Sequence, residues 1–162
     1  MSRAIVVRRS PIHGTGVFAA RKLPANVPVV RYRGEIVTHD VADARHGGNA
    51  DFGHTFLFTL NDDYVIDGSR RGNSARWINH SCDPNCEAVL NEDPDGDRSA
   101  DFIEIETRRP IRKGEELTYD YGLVLDCRHT QKMKQIWACR CGSPKCTGTI
   151  LKDKRKSKMR IV

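Results

Sequence analysis

Arg76-Trp77-Ile78-Asn79-His80-Ser81-Cys82 and Gly114-Glu115-Glu116-Leu117-Thr118-Tyr119-Asp120-Tyr121-Gly122 are the stretches whose reading decides the fold of this 162-residue chain. Neither follows the period of an amphipathic helix or the sustained alternation of a half-buried strand. Each packs amide, imidazole, thiol or phenol groups into a few residues. The rest of the chain can be read outward from them.

At this length one domain with one modest core is expected. Hydrophobic residues make up 38% of the chain, and its longest apolar runs are far too short to cross a bilayer. No membrane partner is therefore expected. The first residues, Met1-Ser2-Arg3-Ala4-Ile5-Val6-Val7-Arg8-Arg9, carry no long apolar stretch and no cleavage site. An intracellular setting that keeps thiols reduced is the expectation. The net charge of +6 is unevenly placed: Lys152, Lys154, Arg155, Lys156, Lys158 and Arg160 face only Asp153 in the last eleven residues. Such a run is ordinarily a solvated, mobile terminus. Its sharper reading is an electrostatic arm for nucleic acid or another acidic partner. No aromatic residue interleaves it, so base stacking is not indicated.

The body reads as many short strands. Residues 4–8, 17–20, 27–32, 55–60 and 64–66 are rich in β-branched and aromatic side chains and bounded by Gly, Pro, Asn or Asp. Residues 88–90 and 102–107 flank a polar stretch, 91–101, that reads as a hairpin loop. Its acids (Glu92, Asp93, Asp95, Asp97, Asp101) do not have the spacing of an EF-hand, so solvation is expected of them. Short helices are expected at 40–45 and 71–78, with a linking helix within 126–137. Many strands without βα alternation predict a mostly β domain with few short helices.

Six cysteines are present: Cys82, Cys86, Cys127, Cys139, Cys141 and Cys146. The last three form C-x-C-x4-C, with Gly142 and Pro144 supplying a turn that lets thiolates converge. Structural zinc takes four ligands, so one must come from elsewhere. By chemistry alone Cys82, Cys86, Cys127, His80 and His129 compete for that place. In a reducing compartment disulfides are disfavoured, and free thiols are expected for Cys86 and Cys127. Near the N-terminus, His13-Gly14-Thr15-Gly16-Val17-Phe18 places two glycines around one residue before a strand. Glycine lets backbone approach a ligand closely. A third glycine at Rossmann spacing is missing, so a dinucleotide site is not indicated.

In this order, the G-x-G loop, Tyr32-Arg33-Gly34-Glu35, Gly72-Asn73-Ser74-Ala75-Arg76 running into Asn79-His80-Ser81-Cys82, Glu116-Leu117-Thr118-Tyr119-Asp120-Tyr121, and the cysteine cluster resemble the SET-domain protein lysine methyltransferases. The resemblance covers about residues 3–151. It implies a β-rich SET fold in which the Asn79-His80 and Tyr121 segments cross in a pseudoknot, with a zinc-binding post-SET segment at the C-terminus. The implied organisation is a SET body at 1–126, a linker and post-SET segment at 127–151, and a basic, disordered tail at 152–162, with no module before the body and a monomeric state.

The same resemblance implies S-adenosylmethionine as cosubstrate, bound by Gly14, Thr15, Gly16, Phe18, Arg76, Asn79, His80 and Tyr121. Asn79 would hold the amino acid end, and backbone groups of His80 the adenine. Zinc would be bound by Cys82, Cys139, Cys141 and Cys146. Tyr121 is implied as the catalytic tyrosine, with Tyr119 and Tyr32 at the lysine channel and Phe56 on its wall. Trp137 and Ile150-Leu151 would close a lid over the cofactor. Asp120, between the two tyrosines, is expected to face away from the channel. Methyl transfer needs a neutral amine, whereas free lysine has a pKa of about 10.4. An apolar channel and a nearby sulfonium lower it. Phenolic hydroxyls orient the amine without adding a full charge.

The expected substrate is a lysine of a histone or another basic protein, lying as an added strand between residues 40–53 and the post-SET segment. By the same resemblance, a tyrosine at 119 implies mainly monomethylation. The setting would be cytoplasmic, or nuclear and chromatin-bound in a eukaryote. Two departures from the family pattern are Trp77 in place of phenylalanine and Gly68-Ser69 in place of Ala-Thr. A competing reading is a catalytically inactive zinc module binding peptide or nucleic acid, and Tyr121 with the cofactor pair argues against it. A thiol redox protein is disfavoured because no C-x-x-C pair is present.

Overall fold

The computed structural model describes residues 4–47, 55–125 and 128–152. Strands β1 (Ile5–Arg9) and β2 (Thr15–Ala19) pair antiparallel. Strand β3 (Pro28–Tyr32) and strand β4 (Glu35–Thr38) follow, and α1 (His39–His46) continues directly from β4. The Thr38 hydroxyl caps α1 by accepting from the Val41 N–H. Strands β5 (Leu57–Thr59) and β6 (Tyr64–Asp67) come next, and β4, β6 and β5 form an antiparallel sheet in that order.

A 3-10 turn at Ser74–Trp77 leads into the two-residue strand β7 (Asn79–His80). Strands β8 (Cys86–Asn91) and β9 (Phe102–Thr107) form the expected hairpin around 91–101, and β3 adds to the other edge of β9. The loop's acids serve its own backbone. Asp101 accepts from the Asp93 N–H at 2.8 Å, and Asp93 accepts from the Asp95 and Asp97 N–H groups. Finally, β10 (Thr118–Tyr119) pairs with β7 in parallel, Thr118 opposite Asn79 and Tyr119 opposite His80. The two signature segments, nearly forty residues apart in sequence, thus lie side by side, as the resemblance implies. A short α2 (Gln131–Ile136) precedes the cysteine segment.

The core fills the space where these small sheets meet. Val17, Ile78, Ile103, Ile105, Ile111 and Leu117 are all but inaccessible, and Tyr32, Phe58 and Tyr119 close its aromatic side. Burial at roughly 25 cal/mol per Å² of apolar surface makes this cluster the main support of the β7–β10 crossing. A separate small cluster of Leu123, Trp137 and Leu151 joins the C-terminal segment to the body. Two isolated bridges, Leu123 with Leu151 and Ala138 with Thr149, tie it down further. The mostly β architecture agrees with the sequence expectation. The pattern missed β4, β7 and β10, and the helix expected at 71–78 is only the 3-10 turn. Asp126 and Cys127, residues 48–54, and the tail beyond Lys152 lie outside the described residues.

Candidate functional site

The parallel pairing of β7 with β10 sets Asn79 and His80 beside Thr118 and Tyr119. Asn79 is buried, and its Nδ2 faces three acceptors: Glu116 Oε1 at 2.8 Å, the Thr15 carbonyl at 3.1 Å and the His13 carbonyl at 3.2 Å. Three acceptors around one atom fix the orientation of the amide. They also tie the glycine loop to both signature segments at once. Glu116 is held in turn by the Ser10 hydroxyl at 2.7 Å. Gly16 is required here, because a Cβ at that position would collide with the Glu116 carboxylate. With Nδ2 committed to the protein, Asn79 Oδ1 is left to accept from a ligand.

Tyr121 leaves the end of β10 and stands between two clefts. Its hydroxyl donates to the Ile78 carbonyl at 2.8 Å, and its backbone N–H donates to His80 Nδ1 at 3.1 Å. On one side lies a polar cleft of about 160 Å³, whose lining includes His13, Asn79, His80, Tyr121, Gln135 and Arg140. On the other lies a narrow slot of about 20 Å³ lined by Tyr32, Leu57, Phe58, Tyr119, Tyr121 and Leu123, with Arg76 at its wall. The rings form a continuous series of tilted contacts: Tyr32 to Phe58 at 5.1 Å, Phe58 to Tyr119 at 6.0 Å, and Tyr119 to Tyr121 at 4.9 Å. Burial raises the pKa of all three tyrosines, so each keeps its proton. The slot therefore presents neutral hydroxyls in an apolar wall.

The Tyr32 hydroxyl donates to the Phe56 carbonyl at 2.9 Å. Gly68 makes room for it, since a Cβ there would lie 2.8 Å from that hydroxyl. Phe56, expected on the channel wall, instead packs edge-on against Trp77 at 5.0 Å, and Phe58 lines the slot in its place. Trp77 thus has a packing partner suited to its greater size. Arg76, implied for the cofactor, is placed at the slot, over the Trp77 ring at 4.7 Å and donating to the Gly68 carbonyl at 3.1 Å. Asp120 turns from the slot to Lys152, 2.6 Å away.

The four sulfurs of Cys82, Cys139, Cys141 and Cys146 lie within 4.8 Å of one another. Cys82 Sγ is 3.8 Å from Cys139 Sγ. A sulfur tetrahedron around zinc at about 2.3 Å has edges of about 3.8 Å, so the donors fit a tetrathiolate metal. Among the described residues this is the one such cluster of three or more metal-ligating groups. Burial would raise the Cys141 thiol. The Cys82 and Ser143 N–H groups and the neighbouring thiols outweigh it and bring Cys141 down to about 6. Burial pushes Cys139 up. Cys86, a rival ligand by chemistry, is instead a core residue whose thiol burial pushes up to about 12.

Several contributors escaped the sequence reading. Glu116 lies within a motif that gives it no role of its own, and Phe58 carries no motif. Asp67 was also missed. It is completely buried, accepts from the Ser69 N–H at 3.0 Å, and lies 2.9 Å from His46 Nε2 and 3.6 Å from Arg45. It pins the end of α1 to β6. Such roles depend on contacts far apart in sequence and leave no local pattern.

The SET domain family model matches residues 14–122. Histone-lysine N-methyltransferase, H3 lysine-4 specific, of Mycosarcoma maydis is 39% identical over 143 residues, covering 85% of this chain and 9% of its own length. The protein of the same name from Schizosaccharomyces pombe is 39% identical, covering 87% of this chain and 14% of its own. Histone-lysine N-methyltransferase set1 of Dictyostelium discoideum is 39% identical over 151 residues, or 91% of this chain and 9% of its own length. This chain therefore spans about a tenth of the length of these relatives. The matched region holds both signature segments, the glycine loop and the tyrosine slot, and the chain belongs to the SET domain family.

Proposed function

We propose that this chain is an S-adenosylmethionine-dependent protein lysine N-methyltransferase that adds mainly one methyl group to a histone or another basic protein. The observation that carries the reading is the position of Tyr121, shared by a polar cleft and an apolar tyrosine slot. The polar cleft fits an amino acid zwitterion and an adenine: Asn79 Oδ1 is free to accept from an ammonium, and the His80 backbone lies beside it. The bound cosubstrate would supply a methyl group on a sulfonium. Gly14, Thr15, Gly16 and Phe18 would shape the loop that covers it, and Thr15 already does so through its carbonyl bond to Asn79.

The slot fits a lysine side chain. Its apolar wall disfavours an ammonium by desolvation, and Arg76 adds a like charge nearby. Both favour the neutral amine. Tyr32, Tyr119 and Tyr121 keep their protons and can hold that amine in line with the methyl, and alignment of this kind supplies much of the rate. Tyr119 sits within reach of Tyr121 in the slot, so its hydroxyl can hold a water where a methylated amine would turn.

Zinc on Cys82, Cys139, Cys141 and Cys146 would fasten the C-terminal segment, whose Ile136, Ala138 and Ile150 line the polar cleft. The relatives' names support a histone tail as substrate, and with it a nuclear or chromatin setting where the host has one. Monomeric action is part of the proposal. So is a division into a SET body, a post-SET segment and a basic tail at 152–162 that contacts nucleic acid.

Incubating the protein with labelled cosubstrate and a lysine-scanned basic peptide array should label lysine-bearing spots alone. Label independent of lysine, or none with metal-replete protein, would contradict the assignment.

A further inference from the structure

The His80 side chain is almost fully buried, and both of its ring nitrogens have neighbours. Nδ1 lies 3.1 Å from the backbone nitrogen of Tyr121. An amide N–H can only donate, so Nδ1 is the acceptor, and the proton of the neutral ring sits on Nε2. Nε2 lies 3.5 Å from Cys82 Sγ. A metal-bound thiolate has only lone pairs to offer, so it accepts from Nε2–H. Two independent neighbours thus require the same tautomer from opposite ends of the ring. Asp120, 3.6 Å from Nδ1, is drawn to Lys152 at 2.6 Å and does not replace the Tyr121 N–H. The ring also meets the Tyr121 ring edge-on at 5.4 Å.

We propose that His80 is a positioning residue that couples the tetrathiolate site to Tyr121, its Nε2–H donating to the Cys82 thiolate while its Nδ1 receives the Tyr121 N–H. Metal occupancy then favours the ring orientation that holds the backbone of Tyr121 between the two clefts. Without metal, coordination no longer fixes the position of the Cys82 sulfur. The ring loses one of its two anchors, and Tyr121 loses a defined support. Hydrogen bonds to the ligands of a metal commonly set its affinity within tenfold to a hundredfold.

Two substitutions separate the ends of this link. In His80→Asn, the amide oxygen replaces Nδ1 for the Tyr121 N–H, and nothing reaches Cys82. In His80→Gln, the longer amide can reach Cys82, and the acceptor for Tyr121 is lost. Chelator competition with Zn²⁺ should show affinity about tenfold or more lower in His80→Asn, and close to wild type in His80→Gln. With Co²⁺ in place of Zn²⁺, the thiolate charge-transfer band should shift in His80→Asn alone. Exchange of the Tyr121 amide hydrogen should be fast in His80→Gln, and in the wild-type protein it should quicken on metal removal.

Turnover rests on the methyltransferase reading. There, His80→Asn should respond to added Zn²⁺ and His80→Gln should not. Absence of turnover in metal-replete wild type would count against that reading and leave the metal and exchange measurements to decide the link. Equal metal affinity in all three proteins overturns the link. So does equal loss in both variants, including loss through unfolding seen by circular dichroism.

Discussion

The SET body and the C-terminal cysteine segment frame the same polar cleft, but different forces hold them. The body places Asn79 and Tyr121 on a crossing backed by Ile78, Ile103, Ile105 and Leu117, each at most 2% exposed. The C-terminal segment has no comparable core. Among the described residues α2 buries none of its own fully, two isolated bridges carry the chain, and the fully buried apolar cluster is only Leu123, Trp137 and Leu151, with Met133, Ile136 and Ile150 among the partly buried residues against it. The segment's three thiols, and Cys82 of the body that they face, are only partly buried. One wall of the cleft is therefore held by hydrophobic burial, and on the proposed reading metal coordination would make the other rigid. On the proposed reading, cosubstrate binding would be lost by two routes, through the body or through the metal, and these routes can be told apart.

The largest effect tests the body side. Tyr121→Phe should lower turnover by about a hundredfold or more, with cosubstrate affinity nearly intact, because the hydroxyl acts at the junction of the clefts rather than within the polar one. Parallel calorimetry and rate measurements check the split. The matching test of the other wall is Cys146→Ser. Elemental analysis should show one Zn²⁺ per wild-type chain and a clear loss in the variant. Hydrogen exchange should rise across residues 138–152 while β9 stays protected. Equal loss of protection in β9 would mean that the metal supports the whole domain, and the contrast would fail.

Asn79→Ala should weaken cosubstrate binding by about tenfold to a hundredfold, since bonds to charged groups are worth about 1.5–3 kcal/mol. It also removes the tie from the glycine loop to Glu116, so the fall should persist at saturating Zn²⁺.

Asp67 probes the body through pH. Burial opposes ionisation, but the bonds from Ser69 and His46 win and hold its carboxyl below the ordinary value of 3.8. A carboxylate depressed on folding contributes stability that is present above its unfolded pKa and lost as pH falls through the folded one. Melting temperature should therefore drop below about pH 4. Asp67→Asn should flatten that acid limb and cost about 2–3 kcal/mol at neutral pH. Chelation should leave the acid limb unchanged.

The smallest effect is on product. Tyr119→Phe should shift mass spectra of a methylated peptide toward di- and trimethyl-lysine with little loss of the first transfer. Wild type that already yields mostly trimethyl-lysine would refute the role given to Tyr119.

The same contrast explains what could be read from the sequence. Motifs that crowd chemistry into consecutive residues were legible: Asn79-His80, Tyr119 and Tyr121, and Cys139, Cys141 and Cys146 all come together in space. Strands of five or six residues with β-branched runs were legible too. β7 and β10 were not, because two residues carry no period. β4 was missed as well, and only its pairing with β6 defines it. Phe56 and Phe58, two residues apart, would share a face in a regular strand, but Phe56 lies before β5, so which of them lines the slot is set by tertiary packing and not by the local period. Glu116 gains its role from Ser10, 106 residues away. Asp67 gains its role from His46 across a turn of structure that no local pattern encodes.

The central claim is that one methyl passes from the polar cleft to an amine in the tyrosine slot, past Tyr121. Its most direct test is intact-mass spectrometry of a basic histone-tail peptide after incubation with S-adenosylmethionine and metal-replete protein. The account predicts a dominant product heavier by one methyl group, located on lysine by fragmentation and absent with Tyr121→Phe. An unmodified peptide in every arm, a methyl on a residue other than lysine, or full activity in Tyr121→Phe would contradict it.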